Sequence, residues 1–138
     1  MEKKDTVDVG HEVKCSSLCE KMKLLALGCR HGNVAIFSID SCDKLHDKKI
    51  HNHDITDVKL TTEFLSDKEE EALLFTGSYK KIKVHKMNAK NVKDSFQLLM
   101  TLTGHTDFVL ALVVFPEQKM LLSGSFDKSM KVWDVTKH

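Results

Sequence analysis

Leu121-Leu122-Ser123-Gly124-Ser125-Phe126-Asp127-Lys128-Ser129-Met130-Lys131-Val132-Trp133 is the stretch on which the fold turns. It opens on apolar residues, passes through a polar turn at Phe126-Asp127-Lys128, and closes on an alternating run. Successive side chains of a strand point to opposite faces, so Met130 and Val132 share one face and Lys131 and Trp133 the other. The stretch reads as a β-hairpin with one face buried. Working outward, the same pattern occurs twice upstream, from Leu25 to Phe37 and from Phe75 to His85. The closing residues Phe37, His85 and Trp133 are 48 positions apart both times, and Gly28, Gly77 and Gly124 are 49 and 47 apart. A fixed period of this size marks a repeat architecture.

Each hairpin has a further strand upstream, at Val13 to Leu18, Ile55 to Leu60 and Phe108 to Phe115. The last is apolar on both faces, as expected of an inner strand covered on both sides. A fourth, outer strand is expected before each, near Asp5 to Val9, Leu45 to Ile50 and Phe96 to Leu102. No window carries an apolar stripe of helical period, so the fold class is all-β. The expected organisation is a single domain, 1–138, of three four-stranded antiparallel units at about 5–39, 43–86 and 96–138. Two insertions interrupt the pattern. Thr61 to Glu71 carries the run Asp67-Lys68-Glu69-Glu70-Glu71 and is expected as a solvated loop tip. Met87 to Ser95 is a connection rich in lysine and asparagine.

Composition narrows the function. Net charge is +1, from 21 basic and 20 acidic residues, and Arg30 is the sole arginine. A chain so balanced has no global field for nucleic acid, and with a single guanidinium it is poor in the usual bidentate reader of phosphate and guanine. The start, MEKKDTVDVG, has no apolar signal core, and the longest apolar run is the eight residues Phe108 to Phe115. Both point to a globular chain of the cytoplasm or nucleus, with its four cysteines reduced.

The third unit carries a resemblance. Leu102-Thr103-Gly104-His105, then Leu122 to Asp127, then Val132-Trp133-Asp134, resembles a WD40 repeat in residues and in spacing. The second unit is similar but degenerate. His51-x3-Ile55-x2-Val58 copies His105-x3-Val109-x2-Leu112, while His85 replaces the tryptophan, Lys80 takes the turn aspartate's place, and the turn is one residue shorter. The first keeps Gly28 but has His31 for the aspartate and Phe37 for the tryptophan. The resemblance implies β-propeller blades and a structural tetrad of His105, a strand hydroxyl (Ser123 or Ser125), Asp127 and Trp133. Three blades are fewer than the four to eight that usually close a propeller. The expectation is therefore an incomplete or open propeller: a piece of a longer one, or one completed by self-association or by another protein's blades. Thr6-Val7-Asp8-Val9 is a candidate to complete the last blade as its outer strand.

His11, Cys15, Cys19, Cys29 and His31 lie close in sequence, but the repeat already accounts for Cys29 and His31, so no metal is expected. No nucleophile elbow, phosphate loop or zinc-protease helix motif occurs, and neither a catalytic residue nor a cofactor is assigned. Lys81 and Lys83 alternate with Ile82 and Val84 as a solvent face does, which makes nucleic acid an unfavoured partner. The positive expectation is a protein or peptide partner held at Arg30, Tyr79 and Phe126, the equivalent turn residues of the three units, with Phe108 extending the patch. The function read is a non-enzymatic interaction scaffold. The alternatives are a substrate-receptor segment of a ubiquitin ligase and an RNA-associated propeller in a ribonucleoprotein.

Overall fold

The computed structural model describes residues 6–62, 64 and 70–136. Ten strands dominate: β1 (Val13–Cys19), β2 (Leu24–Cys29), β3 (Asn33–Ser38), β4 (Lys44–Lys49), β5 (Asp57–Thr61), β6 (Glu71–Gly77), β7 (Tyr79–Asn88), β8 (Gln97–Phe115), β9 (Met120–Ser125) and β10 (Met130–Asp134). A 3-10 turn, Arg30–Gly32, joins β2 to β3, and the one-turn helix α1 (Val92–Ser95) sits within the connection rich in lysine and asparagine. Among the described residues no helix is long and apolar enough to cross a membrane.

Antiparallel pairing gives one sheet ordered β1-β2-β3-β4 and a second ordered β10-β9-β8-β7-β6-β5. The second sheet is two blades sharing a strand. The first half of β8 pairs with β7, as in Ile82↔Leu102 and Val84↔Met100. Its second half pairs with β9, as in Val113↔Leu122 and Val114↔Leu121. β1 packs beside β5 and β5 beside β8, so the inner strands of three propeller blades follow one another along an arc. The outer strands are offset from the sequence units. β4 opens the second unit but pairs with β3 of the first, and Gln97 to Thr103 opens the third but pairs with β7 of the second.

Alternation fixes what lies between blades. Leu24 and Ala26 on β2, with Val34 and Ile36 on β3, meet Ile55, Val58, Ala72, Leu74 and Met87 of the second blade. The next residues along β6, Leu73 and Phe75, face the other way onto Val109, Leu112 and Leu121 of the third. β6 is therefore buried on both faces, which suits the run Ala72-Leu73-Leu74-Phe75.

The glycines of β2, β6 and β9 record the same stacking. A Cβ on Gly28 would lie 2.6 Å from Ile55 Cγ2, and one on Gly77 would lie 3.2 Å from Val109 Cγ1. At Gly124 it would meet nothing nearer than Ala111 of the neighbouring strand, at 3.9 Å.

Three expectations need correction. Residues 6–9 form no strand, and Asp5 lies outside the described residues. Val9 instead packs on Leu25, Leu27, Ala35 and Phe37, the outward face of the first blade. Residues 108–115 are covered on one face only, since Leu110, Val113 and Phe115 stand exposed. Together with Met130 and Val132 they leave the third blade an open apolar face, the counterpart of the face that Val9 covers in part on the first. Outer strand and inner strand of the third unit are also one continuous strand, β8, rather than two. Of the acidic run, residues 67–69 lie outside the described residues, while Glu70 pairs with Lys90 at 2.7 Å and Glu71 with Lys86 at 3.7 Å.

Candidate interaction surface

The hairpin turns line one edge of the arc, and the turn between β9 and β10 is the most fully built. Ser125 Oγ donates to the Phe108 carbonyl at 2.7 Å, and the Phe126 N–H donates to the same carbonyl at 3.0 Å. These bonds pin the Phe126 backbone beside Phe108 while its side chain stays 62% exposed. The left-handed residue of the turn is Lys128, at φ 71°.

Beneath the turn lies the hydrogen-bonded network. His105 Nδ1 is 2.7 Å from Asp127 Oδ2, and His105 Nε2 is 2.7 Å from Ser123 Oγ. Trp133 Nε1 donates to the same Ser123 oxygen at 2.9 Å. One consistent assignment satisfies all four groups with a neutral imidazole: the Nδ1–H donates to the carboxylate, and the Ser123 hydroxyl donates to Nε2 while accepting from the indole. Hydrogen bonds from the Ser129 hydroxyl, then from His105 and the Thr106 and Ser129 N–H groups, hold the Asp127 carboxyl well below the usual carboxylate range. Ser123 is the bonded hydroxyl, because on β9 it faces the core beside Leu121 whereas Ser125 is drawn to Phe108.

The second blade keeps half of this network. His51 Nε2 is 2.9 Å from Thr76 Oγ1, the counterpart of Ser123. His85, in the tryptophan's place, stacks on Phe96 with ring centroids 4.5 Å apart. Lys80 at φ 65° matches Lys128 at φ 71°, so the residue dropped from the shorter turn is the aspartate itself. Burial first, then the charges of Lys83 and its neighbours, pushes His51 down to about 3 and His85 down to about 4. Both imidazoles are neutral at physiological pH.

Of the expected partner-binding residues, Tyr79, Phe108 and Phe126 come together. Tyr79 pairs with Phe108 across the β7–β8 ladder, with ring centroids 5.0 Å apart. His53, which the sequence reading did not single out, completes the group at 4.8 Å from Tyr79 and 6.0 Å from Phe108. Its signal was its place two residues after His51, in the loop corresponding to the one that carries Thr106. Beside the rings opens a cavity of about 390 Å³ lined by Lys14, Asp54, Thr56, Phe108, Leu110 and Phe126. Arg30 does not line it. Its guanidinium lies 3.4 Å from Glu12 on the first blade. The cysteines and histidines weighed for metal are dispersed: Cys15 turns to the Gly28 and Ile55 carbonyls, Cys29 to the Leu27 carbonyl, and His11 to Asp47. Burial pushes the Cys15 thiol up to about 12, which keeps it unreactive.

The family model of the WD domain, G-beta repeat, matches residues 96–134, the span that contains the whole His105–Ser123–Trp133–Asp127 network. Residues 96–134 are a WD40 repeat. The chain is 41% identical over 63 residues to an uncharacterized WD repeat-containing protein of Schizosaccharomyces pombe, an alignment covering 46% of this chain and 16% of that protein. To the nuclear distribution protein PAC1 of Komagataella phaffii it is 28% identical over 135 residues, or 91% of this chain and 26% of that one. Among solved structures, the RRP9 WD40 repeats superpose with a TM-score of 0.74 at 22% identity, and U3-55K with 0.72 at 23%. Each superposition covers 93% of this chain and 37% of the other, and at such identity it speaks for the WD40 fold alone. The chain thus spans about a quarter or less of the two curated relatives.

Proposed function

We propose that this chain is a non-enzymatic scaffold segment that holds a peptide stretch of a protein partner against the Tyr79–Phe108–Phe126 rim. The observation that carries the reading is Phe126. Its backbone is fixed by two bonds to Phe108 while its ring, 62% exposed, stands over a 390 Å³ cavity with no folding task of its own. Rigid, exposed aromatics beside a cavity are the residue type and setting of binding hot spots. Lys14 and Asp54 in the same lining supply one charge of each sign to orient a peptide's polar groups. Arg30, across the Glu12–Lys14 ion pair, would meet only a longer segment. The cytoplasm or nucleus suits four cysteines that are all unpaired.

The test is selection of peptides from a random display library on residues 1–138, followed by titration of the winners against Phe126→Ser and Tyr79→Ala. Losses of tenfold or more in both, with unchanged circular dichroism, support the rim. Affinity untouched by either substitution refutes it.

A further inference from the structure

The turn that lost its aspartate leaves a hole. Between the His51 loop and the start of β7 lies a pocket of about 170 Å³ lined chiefly by His51, Asn52, Tyr79, Lys80, Lys81 and Lys83. No carboxylate lines it. The nearby Asp54 is turned away, accepting from the His31 N–H at 2.8 Å and lying 3.9 Å from Lys14 Nζ.

In the third blade the same place is filled. There Asp127 accepts from His105 Nδ1 at 2.7 Å and from the Thr106 N–H at 3.1 Å. Their counterparts are His51 Nδ1 and the Asn52 N–H, and no hydrogen bond among the described residues engages either. His51 is 5% exposed, and its Nε2 is already anchored to Thr76, so the ring is held in place for a ligand at Nδ1. Three lysines, Lys80, Lys81 and Lys83, are among the lining residues. Lys83 donates to the Ile50 carbonyl at 2.6 Å, Lys80 lies 5.2 Å from the Tyr79 ring centroid, and neither Lys80 nor Lys81 has a carboxylate partner among the described residues. Burial, then the charge of Lys81, holds the Lys83 ammonium below its ordinary value, a crowding that an incoming negative charge relieves.

We propose that this pocket binds the phosphoryl group of a phosphorylated peptide side chain, which takes the position that the Asp127 carboxylate holds in the third blade. A phosphate monoester presents three oxygens and a charge near −2, matching several converging donors without an acidic wall. A phosphodiester of RNA has two oxygens substituted and a single charge, and it is bound along an open track rather than in a closed recess. The volume also suits one such group, being close to the roughly 150 Å³ cavity that admits benzene. Because Tyr79 belongs to both this pocket and the aromatic rim, the assignment rests on the peptide-binding reading and names that peptide's chemistry.

The experiment follows amide resonances of ¹⁵N-labelled residues 1–138 at fixed ionic strength. The probes are inorganic phosphate, N-acetyl-O-phosphoserine amide, N-acetylserine amide, and an oligouridylate without terminal phosphate. Saturable shifts confined to residues 51–53 and 78–83 are expected with the first two probes, with a Kd of about 1 mM as a few charge-assisted bonds allow. The unphosphorylated serine probe should be silent. Lys80→Gln with Lys81→Gln, both exposed and so compatible with folding, should weaken binding tenfold or more. Equal shifts at the Lys128 and Lys131 turn, where Asp127 fills the position, would overturn the assignment. So would saturation by phosphate without the phosphoserine probe, or tighter binding of the oligouridylate at the same residues. Phosphate binding that survives Phe126→Ser while selected peptides are lost separates this pocket from the rim. Loss of phosphate response with peptide capture intact refutes the pocket alone.

Discussion

Lowering the pH from 7 to 5 should destabilise the second blade through two histidines that the fold keeps neutral. His51 and His85 are each 5% exposed, with folded values pushed down to about 3 and about 4. An unfolded histidine takes up its proton near pH 6.5. The folded values lie below the unfolded one, so their contribution is fully present above about pH 6.5 and is lost as pH falls towards the folded values. At pH 5 the unfolded state has gained about 1.5 units of protonation free energy per imidazole, or about 2 kcal/mol each and about 4 kcal/mol for the pair. His46, also lowered by burial, acts in the same direction. A domain of this size holds only about 5–15 kcal/mol in total, so the loss is large. With a urea slope of about 1–3 kcal/mol/M, equilibrium unfolding at pH 7, 6 and 5 should show the midpoint falling by about 1.5 M or more. His85→Trp, which places the third blade's residue against Phe96, should remove roughly half of the pH dependence, and His51→Gln much of the rest. A midpoint unchanged between pH 7 and 5, or a drop indifferent to both substitutions, would refute the reasoning.

Three further outcomes follow from particular contacts. At Gly32, φ is 86° and a Cβ would run into the His51 carbonyl, so Gly32→Ala should cost upward of about 2 kcal/mol; Gly124→Ala, which meets only Ala111, should stay within about 0.5 kcal/mol, both by urea titration. Ser123→Ala deprives both His105 Nε2 and the Trp133 indole of a partner and should cost about 2 kcal/mol, with altered near-ultraviolet dichroism of the single tryptophan. The open face of the third blade, with Val113 and Val132 each 51% exposed, should make residues 1–138 self-associate with rising concentration in light scattering; Val113→Lys with Val132→Glu should disperse the assembly, and a strict monomer before substitution would contradict this.

Much of the fold was legible because each blade repeats a strand-length rhythm that β pairing requires. Leu73-Leu74-Phe75 has no alternation, and its position within the repeat identified it as a strand where periodicity alone could not. Pairing across units was less accessible. Nothing local in Lys44 to Lys49 or Gln97 to Thr103 tells which neighbour completes its ladder, and the offset by one strand came only with the register. The fate of residues 6–9 had the same cause: Val9 carries an apolar side chain suited either to a strand or to lying across Leu25 and Phe37. For the surface, turn equivalence located Tyr79 and Phe126 but grouped Arg30 with them, although blades are displaced along the arc and Arg30 is held to Glu12. The lysine-lined pocket was hidden because Lys80 looked like a replacement for the aspartate. The backbone angle shows a deletion instead, and a deletion leaves a space.

The 19-residue β8 has a bearing on how the molecule can be dissected. Its first half completes one blade and its second half founds the next, with Gly104, at φ 149°, near the crossing. No linker therefore exists at which the third blade can swing free or be excised. A proteolytic or genetic cut placed between the sequence units, near Ser95, would take the closing strand away from the blade it leaves behind, exposing the β7 edge. A cut that respects the ladders has to fall between Phe108 and Val109. Hydrogen exchange should report the same fact in time: amides of β5 to β10 should open together as one cooperative body, while those of β1 to β4, joined to it through residues 50–56, keep an opening rate of their own.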